Sequence, residues 1–373
     1  MRVLFPARLD AGAQHGGDSR IAQECVRELR NLGCDASIST RLHENYEAFD
    51  IVHLFNINNA FESYLRLRRL RAARRRPLVL LTPFHHKTSW IVPYYEEALG
   101  VRLGPVRDQS SPRFNALLSA KDAVRYAVAA LRRPALLPRL PYLAVSTFHQ
   151  KRYVLDQVDA LTVHTPEEGD SVRADFGSRL TPYWQVPIGR DAPSRDGSEP
   201  AMEPGYVLSV GRIEPLKNQL ALIEALRPLG ARLVLVGREN TRHPGYVRRV
   251  RAAIAASGNV VHLPFTPKPG LDALYRRASM HVIASWCEVF PLTTVEAAAN
   301  GCRVVTTRNS YEAGIYGASV PYVNPRDIAA MRDTLARAVQ DPQSGRPEGV
   351  TTRIHSWRAV AERLLEVYRS IAP

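Results

Sequence analysis

The sequence predicts an α/β protein made of two doubly wound domains, each a parallel sheet covered by helices. Three observations lead to that reading. Short, apolar, β-branched runs alternate with helix-period segments in both halves of the chain. At 373 residues the chain is longer than one ordinary core accommodates. Residues 192–204 (APSRDGSEPAMEP) break the pattern with Pro, Ser, Gly and charge, the composition of a linker.

Taken in order, Val3–Pro6 is a predicted strand and Asp18–Leu32 a helix, with Asp18 or Ser19 as its cap. Ile38 marks a weak second strand. Ile51–Phe55 and Leu78–Thr82 are buried strands flanking an Arg-rich helix, and Leu161–His164 and Trp184–Ile188 follow. Residues 84–145 contain several prolines and only one clear helical piece, Asn115–Leu131, so this stretch is expected to be an irregular elaboration near a binding site. After the linker, strands are predicted at Tyr206–Val210, Leu233–Val236, Val260–Leu263, His281–Ala284 and Arg303–Thr306. Helices are predicted between them at Asn218–Leu226, Tyr246–Ala256, Leu271–Ala278 and Leu292–Asn300, and afterwards at Pro325–Val339 and Trp357–Ile371. The expected domains are therefore 1–191 and 205–355, followed by a terminal segment, 356–373. Two such halves imply a ligand in the cleft between them.

Apolar residues make up 45% and charged residues 23%, a soluble globular composition. Cys25, Cys34, Cys287 and Cys302 form no CxxC pair, which suits a reduced, cytosolic protein. The apolar start is too short for a signal peptide, and no run approaches the ~20 residues of a membrane span. The net charge of +14 is localised. Residues 64–76 hold seven arginines and no acid; residues 113–152 hold eight basic residues against Asp122, and the two segments together account for the whole excess. Such a surface attracts phosphates, whether of nucleic acid, anionic lipid headgroups or lipid diphosphates. A solvated helix face gives the same pattern. Leu117, Leu118, Val124 and Val128 add an apolar component suited to peripheral membrane contact. Nucleic acid is disfavoured, because no interleaved aromatic platform or zinc module is present. No His/Asp cluster has metal-ligand spacing, so no metal is expected.

Two motifs in the second half carry chemistry. In Val207–Asn218 a strand runs into Gly211, which permits a close turn, and then Arg212 and Lys217 follow at the strand's carboxyl end. A guanidinium fork and a compact ammonium together suit a diphosphate, although two exposed cations near a helix start would read the same. In Ser285–Gly301, Glu288 lies in a loop and Glu296 in the following helix, eight residues on. Pro291 suits the first helical position, and the next turn offers the N–H groups of Leu292 and Thr293. Two separated carboxylates can accept hydrogen bonds from two sets of hydroxyls, a sugar at one end and a ribose at the other. Spacing alone also allows two ordinary surface acids.

The order Gly-Arg-x4-Lys-Asn, Glu-x7-Glu, Ala-x2-Gly-x-Arg-Val-Val resembles the retaining glycosyltransferase family 4, of the GT-B class with two Rossmann-like domains. The resemblance is strong over residues 205–310. It implies an enzyme whose second domain binds a nucleotide diphosphate sugar, with Gly211, Arg212 and Lys217 at the diphosphate. It further implies Glu288 at the donor sugar, Glu296 at the ribose, and Phe290, Leu292 and Thr293 lining the donor site. No cofactor is implied, since the nucleotide sugar is a substrate. Where the family usually has Gly-Phe-Gly after the first glutamate, this chain has Val289-Phe290-Pro291. The acceptor implied is a glycan or a lipid diphosphate, in bacterial-type surface polysaccharide synthesis, and Trp357 would lie in a helix returning to the first domain. A nucleotide-sugar epimerase of the same fold, or a non-enzymatic nucleotide-binding protein, is the competing reading.

In the first half, Gly16 and Gly17 look like the family's glycine loop, where backbone approaches the transferred sugar or its phosphate. His85 and His86 follow the fourth strand, and one of them is expected to orient the sugar or relay a proton. Asn56 and His164 are candidates for lining the acceptor site, while His53 reads as core.

Overall fold

Each half of the chain arranges its apolar strands into a six-stranded sheet in which every neighbouring pair is parallel. The computed structural model describes residues 1–9, 16–177, 182–194, 202–351 and 354–371. The first half runs β1 (Arg2–Pro6), α1 (Gly17–Asn31), β2 (Asp35–Ser39), β3 (Ile51–Phe55), α2 (Ala60–Leu70), β4 (Leu78–Thr82), α3 (Thr88–Pro93), α4 (Pro112–Arg132) and α5 (Thr147–Gln157). It continues with β5 (Ala160–Val163), α6 (Pro166–Phe176), β6 (Tyr183–Gln185) and the short β7 (Gly189–Arg190). The second half runs β8 (Val207–Val210), α7 (Gln219–Leu226), β9 (Leu233–Val236), α8 (Pro244–Ser257), β10 (Val260–Leu263), α9 (Lys268–Arg277) and β11 (Met280–Val282). Then come α10 (Leu292–Ala299), β12 (Val304–Thr307), α11 (Ala313–Tyr316), β13 (Tyr322–Val323), α12 (Ile328–Gln340), α13 (Glu348–Thr351), β14 (His355–Ser356) and α14 (Trp357–Ile371).

The sheet orders are β2-β1-β3-β4-β5-β6 and β10-β9-β8-β11-β12-β13. In each, the strand order reverses at one place, beside β1 and β3 in the first sheet and beside β8 and β11 in the second. Open α/β sheets bind ligands outside the carboxyl ends of the strands at such a point. The central strands are buried on both faces, which is why Ile51–Phe55, Leu78–Thr82 and Leu233–Val236 read as continuous apolar runs. One core gathers Leu4, Val52, Leu81, Leu161 and Phe176; the other gathers Val207, Leu222, Leu235, Val282 and Leu335.

The chain forms two compact units. The first contains residues 1–92, 102–189 and 357–373; the second contains 93–101 and 190–356. Residues 93–101, expected in the first domain, thus belong to the second unit. There Tyr94–Ala98 forms a π-helical turn packed on the Pro215–Lys217 turn, and Glu97 pairs with Arg326 at 2.5 Å. Other differences are local. The cap of α1 is Gly16 rather than Asp18 or Ser19, because the chain is already helical at Gly17; the Asp18 carboxylate instead accepts the Ser19 N–H at 2.7 Å. Pro291 is the cap of α10 and Leu292 its first residue. The stretch 84–145 is more regular than expected: α4 has 21 residues, and Pro134–Ala144 winds as 3₁₀ turns, where Pro138 and Pro141 forbid an α-helix. Helices α5 and α6, not predicted, are capped by the hydroxyls of Ser146 and Thr165.

Candidate active site

In the second unit the residues expected at a donor site follow the neighbouring strands β8 and β11, where the strand order reverses. Gly211 follows β8, and its N–H donates to Val236 O at 2.8 Å. A Cβ at Gly237 would overlap the Gly211 carbonyl, so the loops after β8 and β9 close backbone against backbone only because Gly237 is glycine. The stem of Lys217 lies over Gly211, 3.6 Å from where a Cβ would be. Lys217 closes a 3₁₀ turn, Pro215–Lys217, and Asn218 beyond it is held left-handed at φ 57°, with its amide bonded to Pro325 O at 3.0 Å.

That turn points Lys217 Nζ at Glu288 Oε1, 2.5 Å away. Burial by itself would lower the lysine pKa, but the Glu288 and Glu214 carboxylates outweigh it and hold the ammonium above its ordinary value. Arg212 is exposed, and its guanidinium is oriented by Glu214 Oε1 at 3.0 Å. The other oxygen of the buried Glu214 takes Asn240 Nδ2 at 2.6 Å. Glu288 is fixed through its backbone, its N–H donating to Asn309 O at 2.8 Å. Arg212, Lys217 and Glu288 therefore converge. Glu296 pairs elsewhere, accepting from the Tyr275 hydroxyl at 3.4 Å. Helix periodicity nonetheless puts Glu296 on the face of α10 that carries Leu292 and Thr293, whose N–H groups have no intrahelical acceptor. Phe290 is buried, its ring edge-on to Tyr316 at 6.4 Å.

Several site residues escaped the sequence reading. Glu214 and Asn240 orient Arg212. Glu312, wholly buried, accepts the hydroxyls of Thr306 (3.0 Å) and Thr294 (3.4 Å); burial drives its pKa up, with the Glu288 charge adding to it. Glu214 had a local signal, two residues after Arg212 on the same side of an extended segment. Glu312 had none, since its role follows from the sheet bringing β12 beside β11.

In the first unit, the carboxyl ends of β1 and β2 and the start of α1 enclose a cavity of about 230 Å³ lined by Arg8, Asp18, Ser19, Gln23, Thr40 and Phe55. Gly16 leaves room for the Asp18 carboxylate, which a Cβ there would meet at 2.8 Å; Gly17 opens the helix and is exposed. Asn56, at φ 69°, donates from Nδ2 to Asp18 Oδ2 at 3.0 Å, and Arg8 lies 3.6 Å from the same oxygen. The two histidines separate. His85 is wholly buried, its Nε2 2.6 Å from Asp175 Oδ2, and burial lowers its pKa against the pull of Asp175. His86 is half-buried. His86 thus stays partly accessible, and His85 ties the loop after β4 to α6.

His164 is also withdrawn from a lining role. It is buried, its Nδ1 bonds Val186 O at 3.1 Å, and burial takes its pKa down to about 4. Glu168, buried beneath the same loops, accepts the N–H groups of His85 (3.2 Å) and His164 (3.0 Å), and burial raises its pKa to about 7. His53 lies in the core as expected, bonded to Tyr368, Thr82 and Thr162. In the basic segments, Arg66 and Lys151 are buried: Arg66 donates to Ala7 O at 2.6 Å, and Lys151 to Gln109 at 3.1 Å. Among the described residues, no group of three His, Cys, Asp or Glu side chains is placed to hold a metal, and no helix is long and apolar enough to cross a membrane.

Two parallel sheets of this topology, one with cations and carboxylates gathered at its strand-order reversal, define a protein of the GT-B class. Residues 192–348 match the family model described as glycosyl transferases group 1, and that part of the chain is similar to it. A D-inositol 3-phosphate glycosyltransferase of Nocardia farcinica is 27% identical over 268 residues, covering 65% of this chain and 59% of the relative. The match thus spans less than two thirds of that relative's length. Among solved structures, sucrose-phosphate synthase from Thermosynechococcus elongatus superposes with a TM-score of 0.73 at 17% identity, over 100% of this chain and 99% of that one. HepE from Anabaena, solved in complex with UDP, gives a TM-score of 0.65 at 12% identity, over 99% of this chain and 100% of that one.

Proposed function

We propose that the protein moves a sugar from a nucleotide diphosphate sugar to a glycan or lipid-linked acceptor, with retention of anomeric configuration, as in the family 4 enzymes its motifs resemble. The setting is bacterial-type surface polysaccharide synthesis, in the cytoplasm, with the basic segments 64–76 and 113–152 at the inner face of the membrane. The observation that carries the reading is the gathering of Arg212, Lys217 and Glu288 where β8 and β11 part. The bond that breaks joins the anomeric carbon to a phosphate oxygen, and the bond that forms joins that carbon to the acceptor hydroxyl oxygen. Negative charge grows on the departing diphosphate, so cations placed there stabilise the transition state more than the ground state. Arg212 and Lys217 supply that charge from the protein, and the reaction requires no bound metal. Glu288 holds Lys217 in place and accepts hydroxyls of the donor sugar; Glu296 accepts those of the ribose. In the first unit, His86 orients the sugar, and the cavity at Asp18 and Arg8 receives the acceptor. That HepE, of the same fold, is solved in complex with UDP supports a nucleoside diphosphate as ligand.

Thermal shift with UDP, GDP and UMP tests the donor site: a diphosphate should raise the unfolding midpoint and the monophosphate much less. Mass spectrometry of products from a panel of nucleotide sugars with a diphosphate-lipid acceptor tests transfer, and NMR of the new anomeric centre tests retention. Undiminished activity in EDTA is expected. No stabilisation by any diphosphate would overturn the donor assignment.

A further inference from the structure

A second basic cavity lies in the first unit, away from the carboxyl ends of its strands. It has a volume of about 420 Å³, and Arg68, Arg69, Arg139, His43 and Tyr142 line it over a floor that includes Leu65. Arg68 and Arg69 close the last turn of α2, which runs back from the carboxyl end of β3 towards the opposite edge of the sheet. Among the described residues, no carboxylate lines the cavity. The nearest acids on the adjoining loop are committed elsewhere: Glu44 accepts the Ser39 hydroxyl, and Glu47 accepts the Arg74 N–H at 2.7 Å.

Three guanidiniums around one cavity repel one another, and the partners they meet are neutral, among them Ala135 O for Arg139 and the Tyr64 hydroxyl for Arg68. Arg69 meets His43 at Nδ1 and Arg139 meets the same ring at Nε2. A neutral imidazole has one lone pair, so it accepts from one guanidinium and turns its own N–H towards the other. Protonation would leave it with none. Arg68 stacks on Tyr142, 4.7 Å from the ring centroid, and donates to the Tyr64 hydroxyl at 3.2 Å, which fixes the fork. Guanidinium forks arranged so match the oxygens of a phosphate.

Helix α4, which packs on the Pro134–Ala144 segment that carries Arg139, has an exposed apolar stripe. Val124, Val128 and Leu131 are 66%, 53% and 82% exposed, and their spacing places them on one stripe of α4. Leu137, 53% exposed, directly precedes Pro138 and Arg139 of the cavity wall. Arg132 and Arg133 are exposed between them, and the only acid in residues 112–144, Asp122, is drawn inward to the Thr147 hydroxyl at 3.1 Å. A stripe of large apolar side chains bordered by arginines matches the boundary between lipid headgroups and acyl chains.

We propose that this cavity seats the phosphate of an anionic lipid headgroup, with the α4 stripe and Leu137 entering the bilayer interface beside it. The proposal rests on the membrane placement given above and assigns the residues that produce it. Vesicle co-sedimentation of the full chain at low salt, with phosphatidylglycerol in phosphatidylcholine against phosphatidylcholine alone, tests it. The wild type should bind the anionic vesicles. Arg69→Gln/Arg139→Gln should weaken that binding about tenfold or more, and Leu131→Ser/Leu137→Ser to a similar degree. Arg71→Gln/Arg74→Gln, which removes the same charge from the segment just after α2, outside the cavity, should cost less than threefold. The UDP thermal shift should stay unchanged in all three, which separates this test from that of the donor site. Equal losses from both arginine pairs would overturn the seat in favour of diffuse attraction. Vesicle binding unaffected by the cavity pair, with stabilisation by inorganic pyrophosphate that this pair abolishes, would overturn the lipid in favour of a soluble phosphate. No vesicle binding and no pyrophosphate effect would overturn the proposal outright.

Discussion

The Lys217–Glu288 pair makes a quantitative test of the donor site, through Lys217→Met, Glu288→Gln and the double variant. Lys217 is 25% exposed and Glu288 12%, so the pair is neither dry nor freely screened. A unit charge about 4 Å from a phosphate oxygen, at an effective dielectric constant of about 20, gains about 4 kcal/mol, and screening through the open side reduces this to about 2 kcal/mol. Lys217→Met should therefore weaken UDP binding about 30-fold. It also strips Glu288 of its counter-ion, leaving a carboxylate aimed at the diphosphate, so the measured loss should exceed that figure. Glu288→Gln alone frees the lysine from competition and should change UDP affinity by less than about threefold, while abolishing most sugar transfer. In the double variant the repulsion is gone, so UDP should bind more tightly than to Lys217→Met alone, a coupling of about 1 kcal/mol or more. Isothermal titration of UDP into the four proteins measures each term. A Lys217→Met affinity within threefold of wild type, or strictly additive effects, would refute the claim that this ammonium meets the diphosphate with Glu288 as its resting partner.

Three further outcomes follow from the geometry. Gly237→Ala should destabilise the second unit by about 2 kcal/mol or more and lower UDP affinity with it, because the new Cβ forces the Gly211 loop away; calorimetry and UDP titration read both. His85→Ala should cost about 2–4 kcal/mol of stability by removing a buried partner of Asp175, which keeps, among the described residues, only the Thr88 N–H at 3.0 Å on that oxygen, whereas His86→Ala should leave the thermal midpoint nearly unchanged and reduce turnover. Burial lowers the Lys151 pKa to about 8, below the unfolded value near 10.5, so the folded chain binds fewer protons than the unfolded chain between those values. On this group's account stability rises with pH across that window. Wild type should thus gain about 2 kcal/mol relative to Lys151→Met between pH 7.5 and 10 in urea unfolding, and a constant difference would refute the burial of a charged form.

What the chain order alone determined was the alternation of elements and the cluster of chemistry-bearing types in residues 205–310; most of the expected linker, 192–204, lies outside the described residues. These are local properties. Apolar period and turn residues report which backbone conformation satisfies its own hydrogen bonds and buries its own side chains. Hence Ile51–Phe55, Leu78–Thr82, Leu233–Val236 and Val260–Leu263 stand where their composition puts them. The prolines of 84–145 concealed how much of that stretch is helical, because tertiary packing and side-chain caps overrode a weak local preference.

Tertiary structure alone decided which neighbours in sequence are neighbours in space. His85 and His86 are adjacent residues of one type, yet one is sealed against Asp175, 90 positions away, and the other stays accessible. Lys217 and Glu288 meet across 71 positions because parallel pairing brings β8 beside β11. Arg66 and Lys151 count towards the same positive charge as Arg69 and Arg139, but burial removes the first two from any surface. A sequence records charge and polarity as inventory. Burial and register, which depend on the whole fold, decide which of those groups face water, which face each other, and which are left with donors to offer a ligand.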